Sequence, residues 1–386
     1  MKKTLKNVCD FFTGTGFPVI YQGKTDGELP FYKVGDVANN VINGHVYLKL
    51  CKNYISRKIA KDIKGIIVPK DTIVFAKIGE ALKLNRRSIT STECLIDNNM
   101  LGICPKNQIV RTKYFYYFLK QLKMQNLAET TTVPSVKKST LENVIINIPP
   151  LQNQLHIENI LNTVSNIISN YQKELTQLDL LTQSLFVEMF INENYPKKKL
   201  GECAIINPKK SSDKRLHDEL EVSFIPMMAV GENGQINVSE IKKFADVKNG
   251  FTYFSEGDVL FAKITPCMEN GKGAIASNLC NGIGFGSTEF HVIRPIENIT
   301  TSEWIYVLTT LQKFRLSAEA NMTGSAGQKR VPASFLQDYS FYLPPIELQK
   351  QFSRVFKHLD KHKSVVQKSL DETQLLFDSL MQKYFG

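Results

Sequence analysis

The stretch Asn147-Ile-Pro-Pro-Leu-Gln-Asn-Gln154 decides how the chain is organised, because it returns 195 residues later as Tyr342-Leu-Pro-Pro-Ile-Glu-Leu-Gln349. The register holds without a gap beyond this pair, so that Leu175 matches Leu370. Self-similarity at a fixed offset is typical of a repeated architecture. The sequence therefore predicts two copies of one structural plan.

Apolar residues follow each Pro-Pro pair at helical spacing and predict two long helices, over 151–192 and 346–386. Prolines in the first turn suit the start of a helix. A single apolar stripe on a rod of roughly 55 to 60 Å needs a partner along its whole length. We expect the two helices to be each other's partner in a coiled coil, through the stripe residues Ile160, Val164, Ile167, Leu175, Leu178, Leu185, Phe352, Val355, Leu359, Val366, Leu370 and Leu380.

The regions before the two helices, 1–150 and 193–345, are predicted to form mixed strands and loops. Short β-branched runs are bounded there by Gly, Pro and Asn, and each region also holds a predicted helix, over 114–127 and 302–320. A second anchor, Val74-Phe-Ala-Lys-Ile78, recurs as Leu260-Phe-Ala-Lys-Ile264 at a shorter offset of 186 residues. The layout is therefore globule, helix, globule, helix, with insertions that differ between the two halves.

Composition places the chain among globular proteins and hints at a polyanionic partner. Hydrophobic residues make up 42% and charged residues 22% of the chain, which is an ordinary composition for folded domains. The chain of 386 residues is long enough for two such domains. The formal net charge is +11. Such a charge favours nucleic acid, where each Lys or Arg displaces a counterion, but it also fits a solvated basic surface.

The seven cysteines form no Cys-x-x-Cys pair, which argues against a disulfide framework or a structural zinc site. The first residues lack the apolar stretch of a signal peptide, and the chain has no run of 18 apolar residues. We expect a cytoplasmic protein with reduced thiols and no contact with a membrane.

Motifs that would carry catalysis are weak or missing. Phe12-Thr-Gly-Thr-Gly16 resembles the glycine turn of amino-methyltransferases, but it lacks a preceding buried strand and the catalytic Pro-Pro motif with its aromatic residue. No phosphate-binding loop occurs. His358 and His362 have the spacing of zinc ligands but no third ligand nearby. The sequence therefore predicts no catalytic residue and no bound metal or cofactor.

Basic and amide-bearing loops at matching places in both halves are the better candidates for a site. Lys and Arg can contact phosphates or guanine, and Asn or Gln can pair with adenine. One turn is aligned in two ways: 97–100 matches 287–290, which we prefer, or 91–93 matches 287–289. The loops before the long helices, 130–138 and 323–330, are polar and also suit a phosphate backbone. The predicted DNA contacts are Lys77, Lys83, Asn85, Arg86, Arg87, Asn98, Asn99, Lys137, Lys138, Lys263, Asn270, Lys272, Thr288, Glu289, Gln328, Lys329 and Arg330.

The whole chain resembles the specificity subunits of type I restriction-modification systems. The motifs that carry the resemblance are the two Pro-Pro-x-x-x-Gln segments with their helices, Thr132-Val-Pro-Ser135, Gly16-Phe-Pro18 and Tyr21-Gln-Gly23. It adds Gly16 and Phe17 to the predicted DNA contacts. It implies an α+β fold with two pseudo-repeated mixed α/β target-recognition domains, 1–150 and 193–345, separated by two long antiparallel coiled-coil helices.

The resemblance also implies a function without catalysis. Each globule would read one half of a split, asymmetric site in double-stranded DNA, and the helices would set the spacer between the halves. Two methyltransferase subunits would dock on the helices, and two motor-nuclease subunits would join the full complex. Those partners would use S-adenosylmethionine, ATP and magnesium. The alternatives are a stand-alone DNA methyltransferase or nuclease, and a scaffold that uses its coiled coil only for assembly.

Overall fold

The structure, a computed structural model, describes residues 1–49, 51–129, 133–191, 194–325 and 327–386. It divides into two compact units: Met1–Gln172 with Ser369–Gly386, and Lys173–Lys368. Each long helix therefore contributes its two ends to different units. The assignment of 1–150 and 193–345 as separate recognition domains stays a prediction.

The first unit is built on one antiparallel sheet and a smaller mixed one. Its main sheet has the order β2-β8-β5-β6, and the smaller sheet has the order β4-β3-β7 with β3 parallel to β7. A separate pair, β1 and β9, joins the two ends of the globule. The strands are β1 (Lys2–Thr4), β2 (Cys9–Thr13), β3 (Leu29–Tyr32), β4 (Tyr54–Ile55), β5 (Ile73–Ala76), β6 (Arg87–Ile89), β7 (Leu95–Ile96), β8 (Met100–Pro105) and β9 (Ile145–Asn147). The helices are α1 (Leu5–Val8), α2 (Val34–Ile42), α3 (Arg57–Asp62), α4 (Glu80–Lys83), α5 (Thr112–Gln121), α6 (Lys138–Glu142) and α7 (Leu151–Phe190).

The second unit repeats this plan. Its main sheet has the order β11-β18-β15-β16, its second sheet is β13-β12-β17-β14 with β12 parallel to β17, and β10 pairs with β19. The strands are β10 (Lys197–Lys199), β11 (Ala204–Ile206), β12 (Glu221–Ile225), β13 (Ile241–Lys243), β14 (Thr252–Ser255), β15 (Val259–Ala262), β16 (Gly273–Ile275), β17 (Ile283–Gly286), β18 (Phe290–Pro295) and β19 (Ser340–Tyr342). The helices are α8 (Leu200–Cys203), α9 (Phe244–Val247), α10 (Ser302–Thr310), α11 (Gln312–Ala320), α12 (Ala333–Asp338) and α13 (Ile346–Phe385).

The repeat predicted from the sequence is confirmed, and so is the fold class. The order β1-α1-β2 at the start of the first unit returns as β10-α8-β11 at the start of the second, with the same offset as the Pro-Pro motif. The predicted helix 302–320 is wrong in one respect, because it is two helices separated by Leu311, whose ψ of 138° is extended. The predicted helix 114–127 is interrupted in the same way, because α5 ends at Gln121 and a separate 3-10 turn covers Met124–Leu127. Thr309 and Thr310 each donate a side-chain hydrogen bond to the carbonyl three residues earlier, which competes with the helical ladder at the break.

The long helices α7 and α13 pack within each unit. In the first unit Val164 of α7 shares one buried core cluster with Phe377 of α13. In the second unit Glu174 lies 3.1 Å from His362, and the Phe186 ring lies 5.5 Å from the Phe352 ring. The residue numbers of the contacting partners increase along α7 and decrease along α13, so the two helices run antiparallel.

The predicted apolar stripe is only partly covered. Val164, Phe352 and Val366 are buried, whereas Ile167 and Val355 are exposed. The remaining stripe residues, Ile160, Leu175, Leu178, Leu185, Leu359, Leu370 and Leu380, are half-buried. The helix pair thus leaves part of its apolar surface open to solvent.

Candidate nucleic-acid interface

Three segments meet at one edge of the first unit: the chain leaving β5, the turn before β8 and the loop before α6. The backbone N–H of Lys77 donates to the carbonyl of Asn99 at 2.9 Å, and the N–H of Val136 donates to the carbonyl of Lys77 at 2.9 Å. Ile78 forms an isolated bridge with Ser135. These bonds fix the segments side by side, and we call this arrangement the three-loop edge.

The second unit has a three-loop edge with the same bonds. The N–H of Lys263 donates to the carbonyl of Glu289 at 2.9 Å, and the N–H of Val331 donates to the carbonyl of Lys263 at 2.9 Å. Ile264 forms an isolated bridge with Arg330, as Ile78 does with Ser135. The backbone scaffold is shared by the two units, and the side chains that it carries are different.

The hydrogen bonds of the turns at these edges distinguish between the two sequence alignments of this turn. Asp97 accepts the N–H of Met100 on its carbonyl at 2.9 Å and the N–H of Asn99 on its carboxylate at 2.8 Å. Ser287 accepts the N–H of Phe290 on its carbonyl at 3.2 Å and the N–H of Glu289 on its hydroxyl at 3.2 Å. The match of 97–100 with 287–290 is therefore confirmed.

The structure leaves most of the predicted contacts at or near the surface. Phe17 stacks on Phe31 at 3.8 Å, and Lys272 donates to the carbonyl of Met227 at 3.4 Å. Exposed residues are Gly16, Lys83, Asn98, Asn99, Lys137, Lys138, Asn270, Thr288, Gln328 and Lys329. Half-buried residues are Phe17, Lys77, Asn85, Arg86, Lys263, Lys272, Glu289 and Arg330. Of the two polar loops before the long helices, residues 130–132 and 326 lie outside the described residues.

Arg87 does not fit the predicted role in this structure. Its side chain is buried, it donates to Asn85 at 2.6 Å and to the carbonyl of Leu122 at 2.8 Å, and it lies over the ring of Phe75. Burial lowers the pKa of Arg87 to about 9. Asn85 also accepts the N–H of Met124 at 3.2 Å. Both residues hold the loop together, and the side chain of Arg87 is not available to a ligand.

Ion pairs neutralise part of the basic charge at the edges. Glu289 accepts hydrogen bonds from Arg330 at 2.8 to 3.2 Å, and this guanidinium lowers the pKa of the Glu289 carboxyl. Lys137 pairs with Glu129 at 2.6 Å. Within the described part of the chain, five of the predicted basic contacts at or near the surface have no ion pair: Lys77, Arg86, Lys263, Lys272 and Lys329. These cations are therefore available to a phosphate.

A basic cleft of about 550 Å³ opens beside the three-loop edge of the second unit. Lys263 and Thr288 line it together with Phe251 and with three basic residues outside the predicted contacts, Lys209, Lys210 and Lys248. Lys248 pairs with Asp218 at 3.0 Å, and Lys210 donates to the carbonyl of Lys248. In the sequence, the basic run Pro208-Lys-Lys210, which follows β11, is the feature that could have predicted this cleft.

Neither a metal centre nor a membrane span emerges from the described residues. No group of three or more His, Cys, Asp or Glu side chains is arranged to hold an ion there. His362, which has the spacing of a zinc ligand with His358, instead lies against Glu174. Over the same residues, the helices are too short or too polar to cross a lipid bilayer.

Comparison with known proteins identifies the relatives of this chain. A model of the type I restriction modification DNA specificity domain matches residues 1–180 and 192–373. The specificity subunit of type I restriction enzyme EcoAI from Escherichia coli is 42% identical over 188 residues, which is 47% of this chain and 31% of that protein. The match thus spans about a third of that relative. The MjaIX specificity subunit from Methanocaldococcus jannaschii is 21% identical over 92% of this chain and 86% of its own length.

A solved structure agrees with the fold. The specificity subunit of a type I restriction-modification system from M. genitalium superposes with a TM-score of 0.58 over 100% of this chain and 96% of its own. The two sequences are 15% identical, so the likeness concerns the fold.

Proposed function

The chain belongs to the type I restriction modification DNA specificity family, and on this premise we propose that it is the DNA-reading subunit of a type I restriction-modification complex. Each unit reads one half of a split, asymmetric site in double-stranded DNA. The chain itself has no catalytic role. Methylation, DNA translocation and cleavage belong to partner subunits.

The observation that carries this proposal is the repeated three-loop edge. Two readers on one backbone scaffold approach DNA in the same way, as the two halves of a dimeric reader approach a palindrome. The equivalent positions hold different side chains: Asn99 corresponds to Glu289, and Ser135 corresponds to Arg330. Different hydrogen-bonding groups on equal scaffolds recognise different bases, so the two half-sites differ.

The long helices supply the second part of the proposal. Their length sets the number of base pairs between the half-sites, and exposed apolar residues such as Ile167 and Val355 are available to partner subunits. We expect two methyltransferase subunits on the helices and two motor-nuclease subunits in the full complex. S-adenosylmethionine, ATP and magnesium would be bound by those partners and not by this chain.

The alternatives make different predictions in a salt titration. A reader that contacts several phosphates loses roughly 10³- to 10⁵-fold in affinity between 50 and 200 mM salt. A coiled-coil scaffold has no such steep dependence with DNA. A stand-alone methyltransferase or nuclease would act on DNA without any partner subunit.

The decisive experiment is to co-express the chain with its methyltransferase subunit and to map methylated adenines across the host genome. New methylation at one split, asymmetric motif is the expected result, and it would supply the recognised bases. A stable complex that adds no methylation would contradict the proposal and favour the scaffold.

A further inference from the structure

Two apolar tips protrude from the units, one from each. In the first unit Pro18 begins a single 3-10 turn, Val19–Tyr21, whose first two side chains are 81% and 74% exposed. In the second unit Pro226 begins another 3-10 turn, Met227–Ala229, in which Met228 is 86% exposed. These are the three most exposed large hydrophobic side chains of the described residues.

The tip of the first unit is rigidly held. The Phe17 ring before it stacks on Phe31 at 3.8 Å with an interplanar angle of 6°. The Gln22 amide after it donates to the carbonyl of Phe17 at 3.0 Å, and the N–H of Gly23 donates to Asn53 at 2.9 Å. A β-branched pair on an anchored turn loses little further freedom when it is inserted into a partner.

The tip of the second unit is held in a comparable way. The N–H of Ala229 donates to the carbonyl of Pro226 at 2.9 Å, and the carbonyl of Ala229 accepts the N–H of Asn237 at 2.8 Å. The ammonium of Lys272, a predicted DNA contact, donates to the carbonyl of Met227 at 3.4 Å. This tip therefore stands beside a cation.

Both tips begin next to the equivalent turn of the three-loop edge. In the first unit the N–H of Thr15 donates to the carbonyl of Ile96 at 2.8 Å, and a side chain on Gly14 would collide with the carbonyl of Asp97. In the second unit the N–H of Ser287 donates to the carbonyl of Ile225 at 3.2 Å, one residue before Pro226. The tips occupy different positions in the chain order, so the repeat alone does not explain them.

We propose that each tip is a wedge that inserts its apolar side chains between adjacent base pairs of the half-site read by that unit. The inference rests on the proposed function and deepens it. Proteins that unstack DNA use apolar side chains flanked by cations that hold the phosphates. Lys24 and Lys33 flank the first tip, where Lys33 donates to Gln22 at 2.5 Å, and Lys272 flanks the second.

The positive charge beside both tips favours DNA over an apolar pocket of a protein partner as the occupant. The interiors of protein interfaces are poor in charged residues, particularly Lys, whereas nucleic-acid interfaces are rich in it. A wedge also lets a unit read base steps that its polar loops never touch, because the cost of unstacking depends on the step.

The test uses the complex of the full chain with its methyltransferase subunits and a duplex that carries the methylated motif. 2-Aminopurine, an adenine analogue whose fluorescence rises on unstacking, replaces one adenine at a time, except the adenines that are methylated. With the wild-type chain we expect a rise at one step in each half-site. The double variant Val19→Ser/Ile20→Ser should lose only the rise in the half read by the first unit, and Met228→Ser only the other.

Each wedge variant should also bind the motif roughly tenfold more weakly, since an apolar side chain is no longer buried. Ile42→Ser is the matched control, because Ile42 is 65% exposed at the end of α2 and belongs to neither tip.

Binding of the motif at full affinity without any rise in fluorescence would overturn the wedge and leave the proposed function standing. So would variants that keep the fluorescence rise but lose their methyltransferase subunits, since the tips would then bind protein. A wild-type complex without preference for any motif would overturn both proposals.

Discussion

Two adjacent arginines, Arg86 and Arg87, have different environments. Arg86 is half-buried and has no ion pair among the described residues, whereas Arg87 is 3% exposed with two guanidinium nitrogens that lack a partner there. The second unit places a guanidinium in an equivalent setting, since Arg315 lies 4.8 Å from the ring of Phe261, the counterpart of Phe75. Arg87 comes from a strand and Arg315 from a helix, so no sequence pattern connects them.

We predict that Arg86→Ala weakens DNA binding and lowers the slope of log affinity against log salt by about 1, because one phosphate contact is lost.

Arg87→Met should leave DNA affinity unchanged. Its free energy of unfolding should fall by about 1 to 3 kcal/mol, because the side chain of Asn85 and the carbonyl of Leu122 lose their donor. Salt-dependent binding and thermal unfolding of both variants check this. A folded Arg87→Met chain with weakened DNA binding would contradict it.

The pair Glu289–Arg330 predicts a pH dependence at the second edge. The folded pKa of Glu289 lies below its ordinary value because Arg330 donates to it, so the pair stabilises the fold above the unfolded pKa of about 4.3. This contribution is lost as the pH falls from there through the lower folded pKa. The wild-type chain should therefore have a larger free energy of unfolding than the Glu289→Gln variant at pH 7, and this difference should shrink below about pH 4. A difference that stays constant down to pH 3 would exclude the ion pair as its cause.

At the scale of elements, the glutamines of the Pro-Pro motifs explain why that motif recurs. Gln154 is fully buried, and it accepts the N–H of Arg111 at 2.8 Å and donates to the carbonyls of Ile109 and Pro149. Gln349 makes the same three bonds in the second unit, to Thr301, Ile299 and Pro344. Each glutamine thus ties the first turn of a long helix to the segment that begins α5 or α10.

Gln154→Leu should lower the free energy of unfolding by about 2 to 4 kcal/mol, because it leaves buried backbone groups without partners. Gln152→Leu is the matched control: Gln152 is exposed two residues earlier, and its change should stay within about 0.5 kcal/mol. Chemical unfolding of both variants measures the difference. Equal stability of the two variants would show that these hydrogen bonds do not anchor the helix.

The length of the helices gives a second prediction at this scale. Removal of seven residues from each helix, where it passes between units near Gln172 and Lys368, shortens each by roughly 10 Å. We expect the spacer of the methylated motif to shrink by about 3 base pairs, at 3.4 Å each, with both half-sites unchanged. Methylation mapping of the variant complex measures the spacer. An unchanged spacer in an active complex would refute the role of the helices as a ruler.

The elements show where sequence reasoning succeeds. The helices α7 and α13 follow from an apolar period sustained over about ten turns, and the structure begins both directly after the second proline, at Leu151 and Ile346. The turn alignment 97–100 with 287–290 was preferred because it kept a proline and a strand. The sequence does not predict the break at Leu311, because residues 302–320 contain no Gly or Pro.

The candidate site was harder to predict than the fold, because exposure depends on tertiary packing. A basic residue in a polar loop looks the same in sequence whether it faces solvent, as Lys83 does, or the interior, as Arg87 does. The exposed tips were missed for the opposite reason, since Val19 and Met228 are apolar and carry no signal of a surface role.

At the scale of the whole molecule, two units carry one scaffold with different side chains, and the chain as a whole has a net charge of +11, which suits a polyanionic partner. Each unit has its own core of buried residues, so a change of loops in one unit leaves the other core intact. The account therefore predicts that the two half-sites can be exchanged separately.

The most direct test replaces residues 1–150 with the corresponding region of another family member and maps methylated adenines in cells that also carry the methyltransferase subunit. The account predicts a motif in which one half-site is new, while the other half-site and the spacer stay as they were. A motif with both halves changed, or with neither changed, would contradict the claim that each unit reads its own half.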